Sequence, residues 1–174
     1  MKTADRIKPR AELAALVATA RAEGKTVVFT NGVFDFLHAG HLTYLEESRA
    51  LGDMLVIGLN SDASVKRLKG PERPINGEQD RATMLAGLRC VDYVTIFGED
   101  TAENLLEAIR PSIYTKGGDY DPEKIPETPT VRAHGGEVVI MSFRPGYSNS
   151  QQFTRISKAA ETKHQRPDFL AGKE

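Results

Sequence analysis

Short apolar runs alternate with amphipathic stretches along this chain, and the two periods separate strands from helices. A helical period predicts a helix over 11–22, ended by Gly24 where left-handed backbone costs little. The run Val27-Val28-Phe29 predicts a first strand, and 42–51 a helix stopped by Gly52. Residues 54–59 read as a second strand, apolar on both faces, followed by a short helix through Leu68 capped by Ser61 or Asp62. Asn76 and Gln79 form a candidate capping box for a helix over 80–88, with Met84, Leu85 and Leu88 facing inward. Residues 93–97 read as the third strand. Asp100 and Glu103 form a similar box for a helix over 102–109, halted by Pro111. Strands four and five fall at 113–115 and 138–143, and Ser148, Asn149 or Ser150 caps a last helix over 151–160.

Strand–helix alternation with strands apolar on both faces predicts an α/β fold, a parallel five-stranded sheet with helices on both faces. Ligands of such sheets bind beyond the carboxyl ends of the strands, at the switch point. Topology sends segments 30–41, 60–62, 98–101, 116–120 and 144–150 to that rim, and all five are polar or glycine-rich. The polar segment 163–174, with Pro167, reads as a loosely ordered tail after a single domain over 1–162.

Composition narrows the classes. With 174 residues, 40% apolar and 27% charged, the chain is that of one soluble globular domain. Lys+Arg 23 against Asp+Glu 24 builds no basic field, so no nucleic-acid partner is expected. No apolar run approaches the roughly 20 residues of a membrane helix, and the N-terminus lacks a signal core. No membrane partner is expected, and a cytoplasmic location is. The one cysteine, Cys90, lies among Leu88, Val91 and Tyr93 and reads as core filling.

The most informative segment is Thr30-Asn31-Gly32-Val33-Phe34-Asp35-Phe36-Leu37-His38-Ala39-Gly40-His41. A strand ends, a glycine-bearing turn follows, and a helix begins with two imidazoles three residues apart. Such a turn gives phosphate oxygens free backbone N–H groups and polar side chains aimed one way. Thr30, Asn31, Gly32, Val33, Phe34, Gly40 and His41 are therefore candidates for nucleotide binding. His38 and His41 are catalytic candidates, able to donate hydrogen bonds to charge developing on a phosphoryl oxygen. A metal pair is the weaker reading, since no third ligand has recognisable spacing. Asp35 reads either as a turn-stabilising carboxylate or as a Mg²⁺ or substrate contact near a triphosphate.

The basic segment 66–74 is either a solvated face or a loop that brings Lys69 and Arg73 over a bound anion, with Arg81 within reach from the next helix. Asn60 and Asp62 follow strand two at the same rim. Lys116-Gly117-Gly118-Asp119-Tyr120 is either a plain strand-end turn or a place where Lys116, Gly118 and Asp119 meet a nucleotide. Tyr147, Ser148 and Ser150 could grip phosphates, or serve as an ordinary cap.

Gly32-Val33-Phe34-Asp35 through His38-Ala39-Gly40-His41 resembles the signature of the cytidylyltransferase-like nucleotidyltransferases. The likeness is closer to one branch, the heptose-1-phosphate adenylyltransferases that form the second domain of bifunctional ADP-heptose synthases. It rests on Phe29 to Asp35, Leu51-Gly52-Asp53, Asn60 to Ser64, Leu68-Lys69-Gly70, Arg73 to Asn76, Val91-Asp92, Glu99-Asp100-Thr101, Lys116 to Tyr120 and Gly135 to Val138. The resemblance implies a Rossmann-like nucleotidyltransferase fold with its core over 25–157. It also implies transfer of AMP from ATP to a sugar 1-phosphate, with Mg²⁺ and release of pyrophosphate. It makes His38 and His41 the catalytic pair, Lys69 and Arg73 phosphate contacts, and a homo-oligomer an expectation. Ser148-Asn149-Ser150 departs from the family's Ser-Thr-Thr, and 125–129 lacks the family's glycine. The sugar kinase domain often fused ahead of this one is absent, so a stand-alone form is expected. Alternatives are a CTP-dependent enzyme acting on glycerol 3-phosphate or a related alcohol phosphate, and a nucleotide-sensing module without turnover.

Overall fold

The computed structural model describes residues 2–141. Over that span the strands are β1 (Val27–Gly32), β2 (Met54–Asn60), β3 (Tyr93–Phe97), β4 (Ile113–Gly117) and β5 (Glu137–Met141). The α-helices are α1 (Arg10–Ala22), α2 (Ala39–Arg49), α3 (Asp62–Lys69), α4 (Glu78–Ala86), α5 (Glu103–Ile109) and α6 (Thr128–Ala133). All neighbouring strands pair in parallel, in the order β3-β2-β1-β4-β5. This is the half-Rossmann order, and its switch point falls between β1 and β4.

The two-residue period of the strands divides the core into two layers. Val27, Phe29, Val56, Phe97 and Tyr114 pack with Leu13 and Val17 of α1, Leu105 and Leu106 of α5, and Val131 of α6. Val28, Leu55, Ile57 and Val94 pack on the other face with Tyr44 and Leu45 of α2 and Ala82 and Leu85 of α4. Helices therefore cover both faces, as the both-sided apolar strands require. At Gly58 the sheet touches α5 so closely that a Cβ would lie 2.7 Å from the Phe29 ring and 2.9 Å from Leu105.

Several boundaries differ from the pattern. β1 continues three residues past its apolar run, because Thr30, Asn31 and Gly32 stay in register with Ile57, Gly58 and Leu59. α2 starts at Ala39 instead of Leu42, since His38 caps it. Neither expected capping box forms. α4 begins at Glu78 behind Gly77, and the Asn76 amide donates to the Asp35 carbonyl (2.6 Å). Asp100 instead pairs with Arg67 (2.6 Å). The earlier start also corrects the phase of α4. Arg81, Ala82, Leu85 and Ala86 face inward at i, i+1, i+4 and i+5, which turns Met84 outward at 61% exposure.

Three short elements gave no periodic signal: 3-10 turns at Thr3–Arg6 and Pro122–Lys124, and α6. Cys90 is half-buried beside the α2/α4 layer. The end of the fifth strand, the last helix and the tail lie outside the described residues. Among those residues no helix is long and apolar enough to cross a membrane.

Candidate active site

A chain of buried hydroxyls docks α2 against the switch point. Thr30 of β1 lies 2.6 Å from the Tyr44 hydroxyl, which donates to the Thr115 carbonyl of β4 (3.0 Å). Because Tyr44 spends its proton there, Thr30 is the donor in the first bond. The Thr115 hydroxyl then donates to Ser48 (3.0 Å). All four side chains are buried, so this network is satisfied out of water and fixes one helix on two strands. Thr30 was expected to meet nucleotide; its side chain instead has no exposure and holds the scaffold.

At the other end of α2 the two imidazoles meet. Their ring centroids lie 3.8 Å apart with planes 24° from parallel. His38 has extended backbone and caps the helix, its Nδ1 accepting from the His41 N–H (3.3 Å). Accepting at Nδ1 requires a lone pair there, so the neutral ring carries its proton on Nε2. Burial lowers the His38 pKa from its ordinary value. Burial, with His38 adding to it, lowers that of His41 to about 4. Both rings are neutral at pH 7. The His41 Nδ1 is buried and has no hydrogen-bond partner among the described residues. An orphaned ring nitrogen in a stacked pair at a helix start is a group prepared for a ligand.

Phe34 brings the turn back onto this pair. Its backbone is left-handed (φ +46°), its side chain is buried, and its ring lies 5.4 Å from the His41 ring. A bulky residue in that region is strained and needs surroundings that over-determine it. Gly32 permits the arrangement, because a Cβ there would meet the Phe34 ring at 2.9 Å.

β4 contributes the facing wall. Lys116 donates to the Tyr114 hydroxyl (3.1 Å) and lies 3.9 Å from Glu127, whose residue is only 4% exposed. Tyr114 donates to Asn31 Oδ1 at the end of β1 (2.6 Å). Gly118 has φ +131° and lies against the Tyr120 ring, where a Cβ would stand 2.7 Å away. Asp119 beside it is exposed. Neither Tyr114 nor Glu127 was singled out by sequence. A tyrosine and a threonine inside an apolar strand are a usable signal for polar work, whereas Glu127 sits in a segment with no period.

Asn31 and Gly32 end β1, Val33 follows them, His38, Gly40 and His41 open α2, and Lys116, Gly118 and Asp119 lie at the end of the neighbouring β4. Other expected contacts the fold puts to structural use. Asp35 has a fully buried side chain that accepts from the backbone N–H groups of Ile75 (3.0 Å) and Asn76 (2.9 Å) and from Arg73 Nε (2.8 Å). Burial raises its pKa, but the donors Asn76, Ile75 and Arg73 outweigh burial and hold it below the ordinary value. These bonds are those of a turn-stabilising carboxylate. Arg73 is held in the same knot. Arg81, 2% exposed, donates to the carbonyls of Asn76 (2.9 Å) and Val33 (2.6 Å) and to Asp62 (2.7 Å). Arg81 is thereby stapled inside the fold, while the Asp62 side chain that it pairs with keeps 36% exposure. Asn60 is buried and donates to Ser64 (3.0 Å), so it too is internal. Lys69 is exposed at the end of α3 with no partner among the described residues. Tyr147, Ser148 and Ser150 lie outside the described residues.

Comparisons with known proteins bear on the family and the fold. A family model described as cytidylyltransferase-like matches residues 29–157. The chain is 53% identical over 151 residues to the bifunctional protein HldE of Pelobacter propionicus, covering 87% of this chain and 31% of that protein. It is 49% identical over 147 residues to the HldE of Geobacter sulfurreducens, covering 84% of this chain and 30% of the relative. The chain therefore spans about a third of the length of these curated relatives. Among solved structures, a lipopolysaccharide core biosynthesis protein from Thermoplasma volcanium shares 32% identity at a TM-score of 0.58, over 70% of this chain and 98% of that one. A pantoate-beta-alanine ligase from Francisella tularensis, complexed with beta-gamma ATP and beta-alanine, has a TM-score of 0.59 at 12% identity over 95% of this chain and 81% of that one. The last likeness is of fold alone.

Proposed function

The chain belongs to the cytidylyltransferase-like family, and from that membership we propose that it transfers AMP from ATP to a sugar 1-phosphate, D-glycero-D-manno-heptose 1-phosphate, giving ADP-heptose and pyrophosphate. Identity of about half to HldE proteins supports the choice of acceptor class. The observation that carries the reaction type is the stacked, neutral imidazole pair at the start of α2, with a buried His41 nitrogen left for a ligand.

The chemistry follows from charge. A phosphate monoester is already an ionised nucleophile, so its oxygen can attack the α-phosphorus of ATP without a strong general base. The bond from that phosphorus to the bridging oxygen breaks, and pyrophosphate departs in line on the opposite face. Catalysis then consists of holding the reactants and of donating to oxygens that gain charge in the transition state. His38, fixed by its cap bond as the Nε2–H tautomer, and His41 supply such donors. The α2 N-terminus adds backbone N–H groups and the positive end of a helix dipole. Lys69, exposed at the end of α3, offers a positive charge for the departing pyrophosphate.

Magnesium belongs to the same reading, but the described residues do not build a protein-held site for it. Asp35 is committed internally, and no group of three or more metal-ligating side chains occurs among those residues. The ion would enter on the phosphates of ATP. We place the enzyme in the cytoplasm and expect it to assemble as a homo-oligomer.

The direct kinetic test is His41→Ala. Removing one transition-state donor commonly costs about 3–4 kcal/mol, so pyrophosphate release should slow by about two to three decades. The melting temperature should stay near that of the wild type. Wild-type turnover in that variant contradicts the assignment.

A further inference from the structure

Lys116, Tyr114 and Asn31 form a hydrogen-bond relay across β4 and β1, and its direction is fixed by chemistry. An ammonium group has donors only, so Tyr114 Oη must accept from Lys116 Nζ at 3.1 Å. The phenol proton then has one destination, Asn31 Oδ1 at 2.6 Å. The reverse amide orientation would set an N–H₂ against the hydroxyl and leave a buried phenol proton with no acceptor, which is costly.

The relay is well anchored. Tyr114 has no exposed surface and packs 6.1 Å from the Phe29 ring. Burial, and then the Glu127 carboxylate, push its pKa up, so it stays protonated and able to donate. Glu127 lies 3.9 Å from the ammonium group, a carboxylate on its other side. With Oδ1 engaged, the two amide N–H donors of Asn31 have no partner among the described residues. They stand at the carboxyl end of β1, one residue before Gly32 and at the switch point.

We propose that Tyr114 is a positioning residue for the nucleotide: held between Lys116 and Asn31, its hydroxyl fixes the Asn31 amide so that both N–H groups face phosphate oxygens of a bound nucleoside triphosphate. The inference rests on the nucleotidyl-transfer reading above and adds to it a residue that touches no substrate. Tyr114 acts only through Asn31, and that gives it a distinctive signature. Every effect of losing its hydroxyl should vanish once the Asn31 amide is gone.

The test is a double-mutant cycle on the intact chain, with Tyr114→Phe, Asn31→Ala and the pair. Dissociation of Mg·ATP is measured by titration calorimetry without acceptor, and pyrophosphate release is measured separately. Phe keeps the ring and its packing, so melting temperature should change little. Tyr114→Phe should weaken ATP by about tenfold, the scale of one oriented hydrogen bond. Asn31→Ala should weaken it at least as much, and the pair should bind no more weakly than Asn31→Ala alone. In a His41→Ala background the Tyr114→Phe effect should persist in full. Unchanged ATP binding in Tyr114→Phe, or effects that add fully in the pair, would overturn the relay. A chain that shows the coupling but releases pyrophosphate with no acceptor contradicts the transfer reading alone. One that turns over with Tyr114→Phe binding ATP normally contradicts the relay alone. A wild-type chain that binds neither ATP nor CTP overturns both.

Discussion

His41 carries a thermodynamic mark of its position. Its imidazole ionises near pH 4 when folded and near its ordinary 6.5 when unfolded. Between those values the unfolded chain binds more protons, so stability is complete above about pH 6.5 and falls as pH drops toward 4. The loss approaches about 3 kcal/mol at the lower end, a ceiling set by the full shift. Urea unfolding at pH 7 and pH 5 should show this decline, and His41→Asn should flatten it. Equal slopes in both proteins would mean that the ring is not buried as described. Asp35 makes the opposite kind of prediction. Asp35→Asn leaves Arg73 without its buried carboxylate and should cost about 3–5 kcal/mol, read as a lower urea midpoint. The magnesium dependence of any activity retained should not move. The sequence left Asp35 with two readings because a turn carboxylate and a metal ligand look alike until its partners are known. Those partners, Ile75 and Asn76, lie some 40 residues away.

At the scale of elements, the hydroxyl chain through Tyr44 ties α2 to β1 and β4. Tyr44→Phe removes the central hydroxyl and leaves Thr30 and the Thr115 carbonyl facing a ring edge. The expected loss is about 1–3 kcal/mol, with pyrophosphate release falling as well, because the helix that carries both imidazoles loses its tie. A variant as stable and as active as the wild type would show that packing alone seats α2. Among the described residues apolar periodicity located every strand, and both ends of β3, but not the carboxyl ends of β1 and β4. Thr30, Asn31 and Lys116 are polar yet remain in the parallel ladders, and ladder pairing depends on neighbours that a single segment does not reveal. Ser61 caps α3 as one of the two expected candidates, but the start of α4 differs for a related reason. Asn76 looked like a cap, but Asp35, distant in sequence, supplied it with stronger partners. α6 is six residues opening on Thr128-Pro129, too short for a period to register.

For the whole molecule, the order β3-β2-β1-β4-β5 decides where chemistry can occur. Alternation of strands and helices was enough to predict a parallel sheet and to send the polar segments to one rim. It could not say that β1 and β4 are neighbours, and so could not join Asn31 to Tyr114. The close sheet–helix contact at Gly58 tests the packing that holds these strand ends level. Gly58→Val forces methyl groups against Phe29 and Leu105 and should destabilise the fold by about 1–3 kcal/mol or more, seen as a lower melting temperature. Transfer of the adenylyl group of ATP at the β1–β4 switch point is the central proposed event. Phosphorus NMR of the chain with Mg·ATP and D-glycero-D-manno-heptose 1-phosphate reads that event directly. It should show free pyrophosphate and a new pair of coupled diphosphate resonances appearing together, with CTP a poor substitute and His38→Ala/His41→Ala nearly silent. ATP that binds but remains intact with every sugar phosphate supplied, or products that form equally well without the two imidazoles, would contradict it.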